Sequence, residues 1–347
     1  MEVILDRVKP AHIILTFIFH SFDFILSANH NLSSFATSIF LTNTLAFLIN
    51  LFQPQNQWLP GQDGEFAAKN DITELNYAEN QFDMFGYAKF LPMSGSDFEN
   101  AMLMNNVRSC PRTRANQQFF TYPNDIPQLV DWSQEGVVAP VLDQKMCKAS
   151  WSISVVGVIE SKIAIADLKN GISSPFMRLS IQELIDCTME NNGCSGGKPA
   201  TAIDFFKTAN LPIVTEEQYP LTLVDQECKI PKHNTGVFIK KNNKLCNVKE
   251  EELLRLIARG PVVALVNAKS WQHYIRGVIK RACLTTDKEP NHVILIVGYD
   301  LSDEIPYYIV RNSWGENFGD NGYVKVAIGD NVCGIANEIF YIDVVGP

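Results

Sequence analysis

The chain has 347 residues, of which 46% are hydrophobic and 19% charged, as is ordinary for a globular protein. This length exceeds what one compact core usually contains, so it favours one to three domains or a catalytic unit with a removable extension. The net charge of −9 and the lack of a long Lys/Arg stripe argue against binding of nucleic acid.

The N-terminus resembles a secretory signal peptide. Arg7 and Lys9 precede the apolar run AHIILTFIFHSFDFIL, and Ser27-Ala28 offer small residues for cleavage. Two histidines and an aspartate interrupt this run, which leaves an ordinary hydrophobic helix or a misassigned start as alternatives. The run is too short and too interrupted to span a membrane. We therefore predict a signal peptide over residues 1–28 and no membrane association after its removal.

The next hundred residues show weaker patterns. Residues 29–52 are mostly apolar and are predicted to be helical. The segment MNNVRSCPRTRANQQFFTYPND, residues 104–125, has little periodicity and contains prolines and arginines. It is typical of an exposed linker that a protease could cut.

Residues beyond this segment predict helices first and strands later. Apolar side chains recur at helical spacing from Trp151 to Leu168, although the β-branched residues there leave a strand possible by propensity alone. A short helical pattern covers Ile181–Ile185. Three strand-like runs follow, HVILIVGYD (292–300), PYYIVRNSW (306–314) and GYVKVAIGD (322–330). This order favours an α+β fold over alternating βαβ units.

The chain contains eight cysteines, seven of them after residue 140, and none forms a CxxC pair. This spread favours a disulfide framework over a zinc site, and disulfides indicate the secretory route. No metal or cofactor is implied.

Three separated residues have the order of a thiol-protease site: a nucleophile position at a helix start, Ser150, then His292 and Asn312. His292 falls within the interval of about 130–150 residues expected after a papain-like nucleophile, and Asn312 lies slightly beyond it. Taken singly, a histidine at a strand start or an asparagine before Ser-Trp-Gly is more often structural. Their joint occurrence with flanking motifs favours a site.

The region from Ile126 to Pro347 resembles the mature domain of papain-family cysteine peptidases. The matching residues and motifs are VDW (130–132), Gln144, Cys147, Trp151, IDC (185–187), GCSGG (193–197), NHV (291–293), YIVRNSWG (308–315) and VCGIA (332–336). The resemblance implies the papain-like two-lobe fold, in which a helical lobe and a β-barrel lobe enclose a peptide-binding cleft. The helical lobe would carry Ser150, and the barrel lobe would carry His292 and Asn312.

The resemblance extends weakly upstream and implies an N-terminal inhibitory propeptide that lies backwards through the cleft. The residues that match family propeptide motifs are Phe40, Asn43, Phe47, Asn50 and Asn80-Gln81-Phe82, whereas Leu32 and Ala36 replace the first half of the helical motif. The predicted division is a signal peptide at 1–28, a degenerate propeptide at 29–125 and a peptidase domain at 126–347.

The resemblance also assigns the cysteines. It implies the pairs Cys147–Cys194, Cys187–Cys228 and Cys283–Cys333. Cys110 and Cys246 have no partner in this scheme, and Cys246 is expected to be a buried free thiol.

Family roles map onto single residues of this chain. Gln144 would complete an oxyanion hole with the backbone N–H of Ser150, and His292 with Asn312 would hold an oriented imidazole. The residues expected to bind substrate are Gly196, Gly197, Pro199, Leu265, Trp314 and Glu338. A carboxylate at Glu338 would favour a basic side chain at the second residue before the cut; an exposed glutamate is the alternative interpretation.

Ser150 departs from the cysteine that the family requires, and Lys148 and Ala149 beside it also depart from the family pattern. We weigh three functions. The first is an impaired or inactive pseudopeptidase whose cleft binds peptides, proteins or cystatin-like inhibitors. The second is a working lysosomal cysteine-type peptidase. It would either act slowly with Ser150 or be active with a cysteine at this position, which this sequence would then show in altered form. The third is a non-catalytic secreted scaffold. Lysosomal or extracellular localisation follows from the family.

Overall fold

The computed structural model describes residues 72–76, 84–86, 88–108, 110–111, 122–229, 236–283 and 289–345. All of them belong to one compact unit, Trp58–Pro347. The predicted signal peptide, the predicted helix at 29–52, the propeptide motifs before residue 84 and the middle of the predicted linker lie outside the described residues.

The described ranges contain the helices α1 (Gly95–Met102), α2 (Ser150–Lys169), α3 (Ile181–Cys187), α4 (Pro199–Thr208) and α5 (Glu250–Ile257), and residues 72–76 are helical as well. Three short 3₁₀ turns accompany them at Gly193–Ser195, Lys269–His273 and Val332–Gly334. The helices predicted at 151–168 and 181–185 are confirmed as α2 and α3. No helix of the described residues has the length and hydropathy needed to cross a membrane.

Helix α2 is the central helix of one lobe. Its residues from Ser150 to Ser161 are all buried, which is why its sequence is apolar on nearly every face rather than along one stripe. Valines and isoleucines are tolerated because packing on all sides outweighs their modest helix propensity.

Within the described part of the chain, eight strands form one mixed sheet: β1 (Leu129–Asp131), β2 (Phe238–Cys246), β3 (Val262–Val266), β4 (Val278–Ile279), β5 (His292–Asp300), β6 (Tyr307–Arg311), β7 (Tyr323–Ala327) and β8 (Glu338–Val345). Their order is β2-β8-β3-β5-β6-β7-β4, and β1 pairs with β5. The strand predicted at 292–300 is confirmed with the same bounds. Strands β6 and β7 are shorter than their predicted runs.

Strand β5 separates two hydrophobic cores. Val293, Leu295 and Val297 pack into the core that contains α2. Ile294 and Ile296 pack into the core of the sheet lobe. Alternate side chains of a strand point to opposite faces, so a strand buried on both faces reads as the continuous apolar run seen in the sequence.

We call residues 84–111, so far as they are described, the upstream segment. Its first part binds the loop around the second 3₁₀ turn. The carbonyl of Met84 accepts a hydrogen bond from Ile275 N at 2.9 Å, and the N–H of Gly86 donates to the carbonyl of His273 at 2.9 Å. The Gln272 side-chain amide donates to the carbonyl of Met93 at 2.8 Å.

Helix α1 follows in the upstream segment. Ser94 caps it, because its Oγ accepts a hydrogen bond from Asp97 N at 3.1 Å. Phe98 and Met102, four residues apart, form its buried face. The ring centroid of Phe98 lies 5.3 Å from that of Trp314 in an edge-on arrangement, and such aromatic pairs add about 0.5–1.5 kcal/mol to the burial of their surface.

The prediction of an exposed linker over 104–125 is wrong for its first part. Met104, Val107 and Cys110 are only 1%, 2% and 5% exposed. Side chains of an extended segment that contacts another part of the molecule need no helical or strand period, so the sequence pattern of a buried segment resembled that of a loop here.

Candidate active site

The turn that precedes α2 positions Ser150 as the first helical residue. The Cys147–Cys194 disulfide and a hydrogen bond from Lys148 N to the carbonyl of Cys194 at 2.8 Å fix this turn. The N–H of a first helical residue has no acceptor within its helix, and it lies at the positive end of the helix dipole. Ser150 therefore offers a backbone donor beside its hydroxyl.

His292, the first residue of β5, is bonded to Asn312, which follows β6. His292 Nε2 and Asn312 Oδ1 are 2.7 Å apart. The same Oδ1 accepts a hydrogen bond from the backbone N–H of Ser313 at 2.8 Å, which identifies this atom of the amide as the oxygen. Nε2 must therefore donate, so Nδ1 of the neutral imidazole carries the lone pair.

The imidazole of His292 is fully buried. Its ring centroid lies 4.7 Å from that of Trp314, and His292 and Trp314 are each 0% exposed. Burial lowers the pKa of His292 to about 4, although the hydrogen bond to Asn312 favours the charged form. In this form of the molecule the imidazole is neutral at neutral and mildly acidic pH.

Ser150 and His292 are neighbours without a hydrogen bond between them. Ser150 Oγ accepts a hydrogen bond from the backbone N–H of Val293 at 3.3 Å. His292 Nδ1 is buried and has no hydrogen-bond partner among the described residues. The hydroxyl of Ser150 thus lies at the start of β5, whose first residue carries the basic nitrogen, and that nitrogen has no hydrogen-bond partner among the described residues.

Gln144 is held against the residue that follows Asn312. Its backbone N–H donates to the carbonyl of Ser313 at 2.8 Å, and its Oε1 accepts from Ser313 Oγ at 2.7 Å. Its Nε2 is thereby left to donate to the carbonyl of Met102, at 3.4 Å. The side-chain amide that could stabilise an oxyanion is occupied by a carbonyl of the upstream segment.

The glycines at 196 and 197 lie where the chain approaches other groups closely. Gly196 has φ of +119°, and a Cβ there would come within 3.0 Å of Met104 Cγ. A Cβ on Gly197 would meet Trp151 Cε2 at 2.7 Å. Met104 N donates to the carbonyl of Asn291 at 2.7 Å, so the upstream segment passes between the glycine pair and the start of β5.

The predicted pocket residues fall on three separate elements. Pro199 is the first residue of α4, and Leu265 pairs with Val293 across β3 and β5. Glu338, the first residue of β8, is 1% exposed, so the alternative of an exposed glutamate is wrong. Its Oε2 accepts a hydrogen bond from Cys110 N at 2.9 Å, which places the upstream segment over this carboxylate.

All eight cysteines are paired. The bridges implied by the family are present: Cys147–Cys194, Cys187–Cys228 and Cys283–Cys333. The expectation that Cys246 is a buried free thiol is wrong, because Cys246 is exposed and bonded to Cys110. The two cysteines without a family partner bond to each other, a pairing that elimination could have suggested.

The sequence pattern did not predict the residues of the upstream segment that contact this site, nor the residues that bond to its side chains. They are Met102, Met104, Cys110, Val293 and Ser313. The only sequence signal for a link between the upstream segment and the peptidase domain was that Cys110 and Cys246 had no partner in the family pairing. Within the described residues, no group of three or more His, Cys, Asp or Glu side chains could hold a metal ion.

Comparison with known proteins agrees with this geometry. A sequence profile described as papain family cysteine protease matches residues 126–342. Cathepsin O of Mus musculus is 37% identical over 265 residues, which cover 75% of this chain and 82% of the relative. Cathepsin O of Homo sapiens is 34% identical over 272 residues, which cover 77% of this chain and 82% of the relative.

A solved structure shares the fold. The Amb a 11 cysteine protease, a ragweed pollen allergen solved in its proform, aligns with a TM-score of 0.67 and 25% identity over 82% of this chain and 88% of that one. The expected papain-like α+β fold with a propeptide is thus confirmed. The chain belongs to the papain family of cysteine proteases.

Proposed function

We propose that this chain is a secreted or lysosomal papain-like proform whose cleft binds peptides but hydrolyses them poorly or not at all. The observation that carries the proposal is the pair formed by Ser150 and His292. The hydroxyl of Ser150 is bonded to Val293 N, and the basic Nδ1 of His292 has no partner. In the family reaction these positions belong to a nucleophile and its base.

The identity of the nucleophile decides the rate. A cysteine at a helix N-terminus beside a histidine has its thiol pKa lowered from about 8.5 to about 3–4, so that a thiolate stands ready to attack. The proton of a serine hydroxyl is held too tightly for such a pair to form. Ser150 could attack only if His292 removed its proton during the step, which needs a hydrogen bond between them. That bond is lacking between these described residues.

The remaining site is suited to holding a peptide. Gln144 and the N–H of Ser150 would bind a carbonyl, as the Gln144 amide binds that of Met102. Gly196 and Gly197 would pair with an extended backbone, and Trp314 would close the far side. Pro199, Leu265 and Glu338 would receive a side chain, and the buried carboxylate favours a basic one.

Several features support a proform in the secretory pathway. Four disulfides join the described residues, and such bonds persist in oxidising compartments. We assign residues 1–28 to a signal peptide, 29–125 to the propeptide and 126–347 to the peptidase domain. The propeptide is the first partner of the cleft; peptides, proteins and cystatin-like inhibitors compete with it.

A paired assay tests the proposal. The native protein and Ser150→Cys would be cleaved between propeptide and peptidase domain and treated with a dithiol to break the Cys110–Cys246 bridge. After the propeptide has been separated, both would be compared for hydrolysis of a fluorogenic peptide and for binding of a labelled, uncleaved peptide by fluorescence anisotropy. We expect both proteins to bind the peptide and only Ser150→Cys to cleave it.

Ala149→Gly provides the matched control, because it restores the neighbouring family residue without changing the nucleophile. Turnover by the native protein would refute the pseudopeptidase and support a working peptidase. Failure of both proteins to bind or cleave would support a scaffold instead.

A further inference from the structure

The upstream segment is attached to the peptidase domain by a covalent bond as well as by contacts. Cys110 and Cys246, which are 136 residues apart in sequence, form a disulfide. Cys246 is the last residue of β2 and lies opposite Glu338 in the register of β2 and β8. The bridge therefore anchors the upstream segment beside the carboxylate assigned above to the cleft.

The chain is also held by bonds at Cys110 and at the residues that precede it. Cys110 N donates to Glu338 Oε2 at 2.9 Å. Arg108 Nε donates to the carbonyl of Cys110 at 2.8 Å, and its Nη1 forms an ion pair with Glu289 at 3.0 Å. Met104 N donates to the carbonyl of Asn291 at 2.7 Å. These bonds run beside the start of β5 and hold the segment over the Ser150–His292 site.

Removal of a propeptide needs a break in the chain between these contacts and the matched domain. The family match begins at residue 126, so the break falls after Cys110 and before Ile126. Hydrolysis there adds one water to one peptide bond and yields a carboxylate and an amine. It leaves the Cys110–Cys246 bond unchanged.

We infer that proteolytic processing of this protein yields a two-chain molecule in which the propeptide remains disulfide-linked and stays in the cleft until a thiol reductant releases it. The inference rests on the proposed function for the identity of the cleft as a peptide-binding groove, whereas the retention depends only on the bonds. A segment tethered in this way has a high effective concentration, so free peptides compete poorly with it.

Release would follow thiol–disulfide exchange. A thiolate of a dithiol reductant attacks one sulfur and forms a mixed disulfide, and the other sulfur leaves as a thiolate that takes up a proton. The second thiol of the reductant then attacks the mixed disulfide, which releases the first sulfur as a thiol and oxidises the reductant to its cyclic disulfide. Of the eight cysteines, all of which lie in the described ranges, Cys246 alone is exposed. Exchange should therefore begin at Cys246, with Cys110 as the leaving thiol, before the other three bridges react.

The test uses the full chain with residues 115–120 replaced by the recognition sequence of a site-specific protease. After cleavage, intact mass under denaturing conditions is measured with and without reductant. We expect one linked species without reductant and two fragments with it. The control is the same protein with Cys110→Ser and Cys246→Ser, which should give two fragments in both conditions. Two fragments from the parent protein without reductant would overturn the inference.

A labelled peptide tests the consequence for the cleft. We expect the cleaved parent protein to bind it more weakly than the cleaved double serine variant by a factor of about 10² or more, and a dithiol to remove the difference. Equal affinities with the bridge intact would show that the retained segment does not block the cleft. Failure of every form to bind peptide would refute the proposed function and leave the retention standing.

A second measurement needs no variant. The parent protein is treated with increasing dithiol and alkylated, and the labelled cysteines are mapped by mass spectrometry. We expect Cys110 and Cys246 to be labelled at lower reductant concentration than the other six. Earlier labelling of any other pair would contradict selective release.

Discussion

Two buried carboxyl groups make the stability of this protein depend on pH. Glu160 in α2 and Glu183 in α3 are each 2% exposed. Glu160 Oε1 accepts a hydrogen bond from Leu179 N at 2.8 Å, and Glu183 Oε2 accepts one from Val214 N at 2.9 Å. Burial raises the pKa of each to about 7, although Arg178 favours the charged form of Glu160.

The sign follows from the difference between the folded and unfolded states. Because both pKa values are raised from 4.5, the folded protein keeps protons that the unfolded chain has released. This stabilisation is fully present below pH 4.5 and is lost as the pH rises through 7. Each carboxyl lowers the free energy of unfolding by about 2 kcal/mol between pH 5 and pH 7.

His292 acts in the opposite direction. Its pKa is lowered from 6.5 to about 4, so the unfolded chain gains a proton that the folded protein does not bind. Stability from this group is present above pH 6.5 and is lost as the pH falls, by about 2 kcal/mol between pH 7 and pH 5. Burial of Glu250 also raises its pKa and adds to the effect of the two carboxyls. The free energy of unfolding should fall by at least about 2 kcal/mol from pH 5 to pH 7.

Urea unfolding at pH 5, 6 and 7, followed by tryptophan fluorescence with the disulfides intact, measures this fall. Combining Glu160→Gln with Glu183→Gln removes two ionisations and keeps an acceptor oxygen at each position, so the difference between pH 5 and pH 7 should change by about 4 kcal/mol. Glu217→Gln with Glu227→Gln, at exposed positions, is the control. A native protein that gains stability with pH, or a buried double variant that keeps the native slope, would refute the reasoning.

Two further predictions concern the upstream segment and the imidazole. Phe98→Ala should destabilise the packing of α1 by about 3–5 kcal/mol because a fully buried ring is lost. Amide hydrogen exchange in α1 should become faster in this variant but not in the control variant Phe205→Ala, and unchanged exchange in Phe98→Ala would contradict the prediction. Asn312→Ala in the Ser150→Cys protein should lower kcat by a factor on the order of 10², because His292 loses the acceptor of its Nε2 proton; an unchanged kcat with a folded variant would contradict that role.

The sequence predicted the elements that hold the site better than the contacts within it. The strand at 292–300 was clear because both faces of β5 are buried, which leaves an uninterrupted apolar run between polar ends. Helix α2 was clear because its apolar spacing spans five turns. Burial of Met104 and Val107 could not be predicted, since an extended segment against another surface has no period of its own.

Sequence motifs predicted which residues form the site, but only the three-dimensional structure shows how these residues are bonded to one another. Asn312 orients His292 only because Ser313 N fixes which end of the amide carries the oxygen. Cys110 and Cys246 are 136 residues apart in sequence, and their bridge departs from the family pairing. Their separation along the chain therefore could not predict that the two side chains lie within bonding distance. The first fact depends on how β5 and β6 pair and the second on where the upstream segment meets the end of β2, and local sequence pattern encodes neither.

The pKa of His292 should report whether the cleft is occupied. The imidazole is buried because Trp314 packs against it in a tilted arrangement and the upstream segment binds next to it, through Met104 to Asn291. That burial is the main cause of a pKa of about 4. If the segment leaves, water reaches Nδ1 and the charged imidazole is solvated again.

NMR titration of histidine ring carbons in the Cys110→Ser, Cys246→Ser protein measures this change before and after cleavage and removal of the propeptide. We expect the His292 pKa to rise towards 6.5, its ordinary value. A histidine-containing peptide titrated in the same buffer serves as the reference. A pKa that stays near 4 after the segment has been removed would show that the lobes alone bury the imidazole, and occupation of the cleft would then leave no signature in this group.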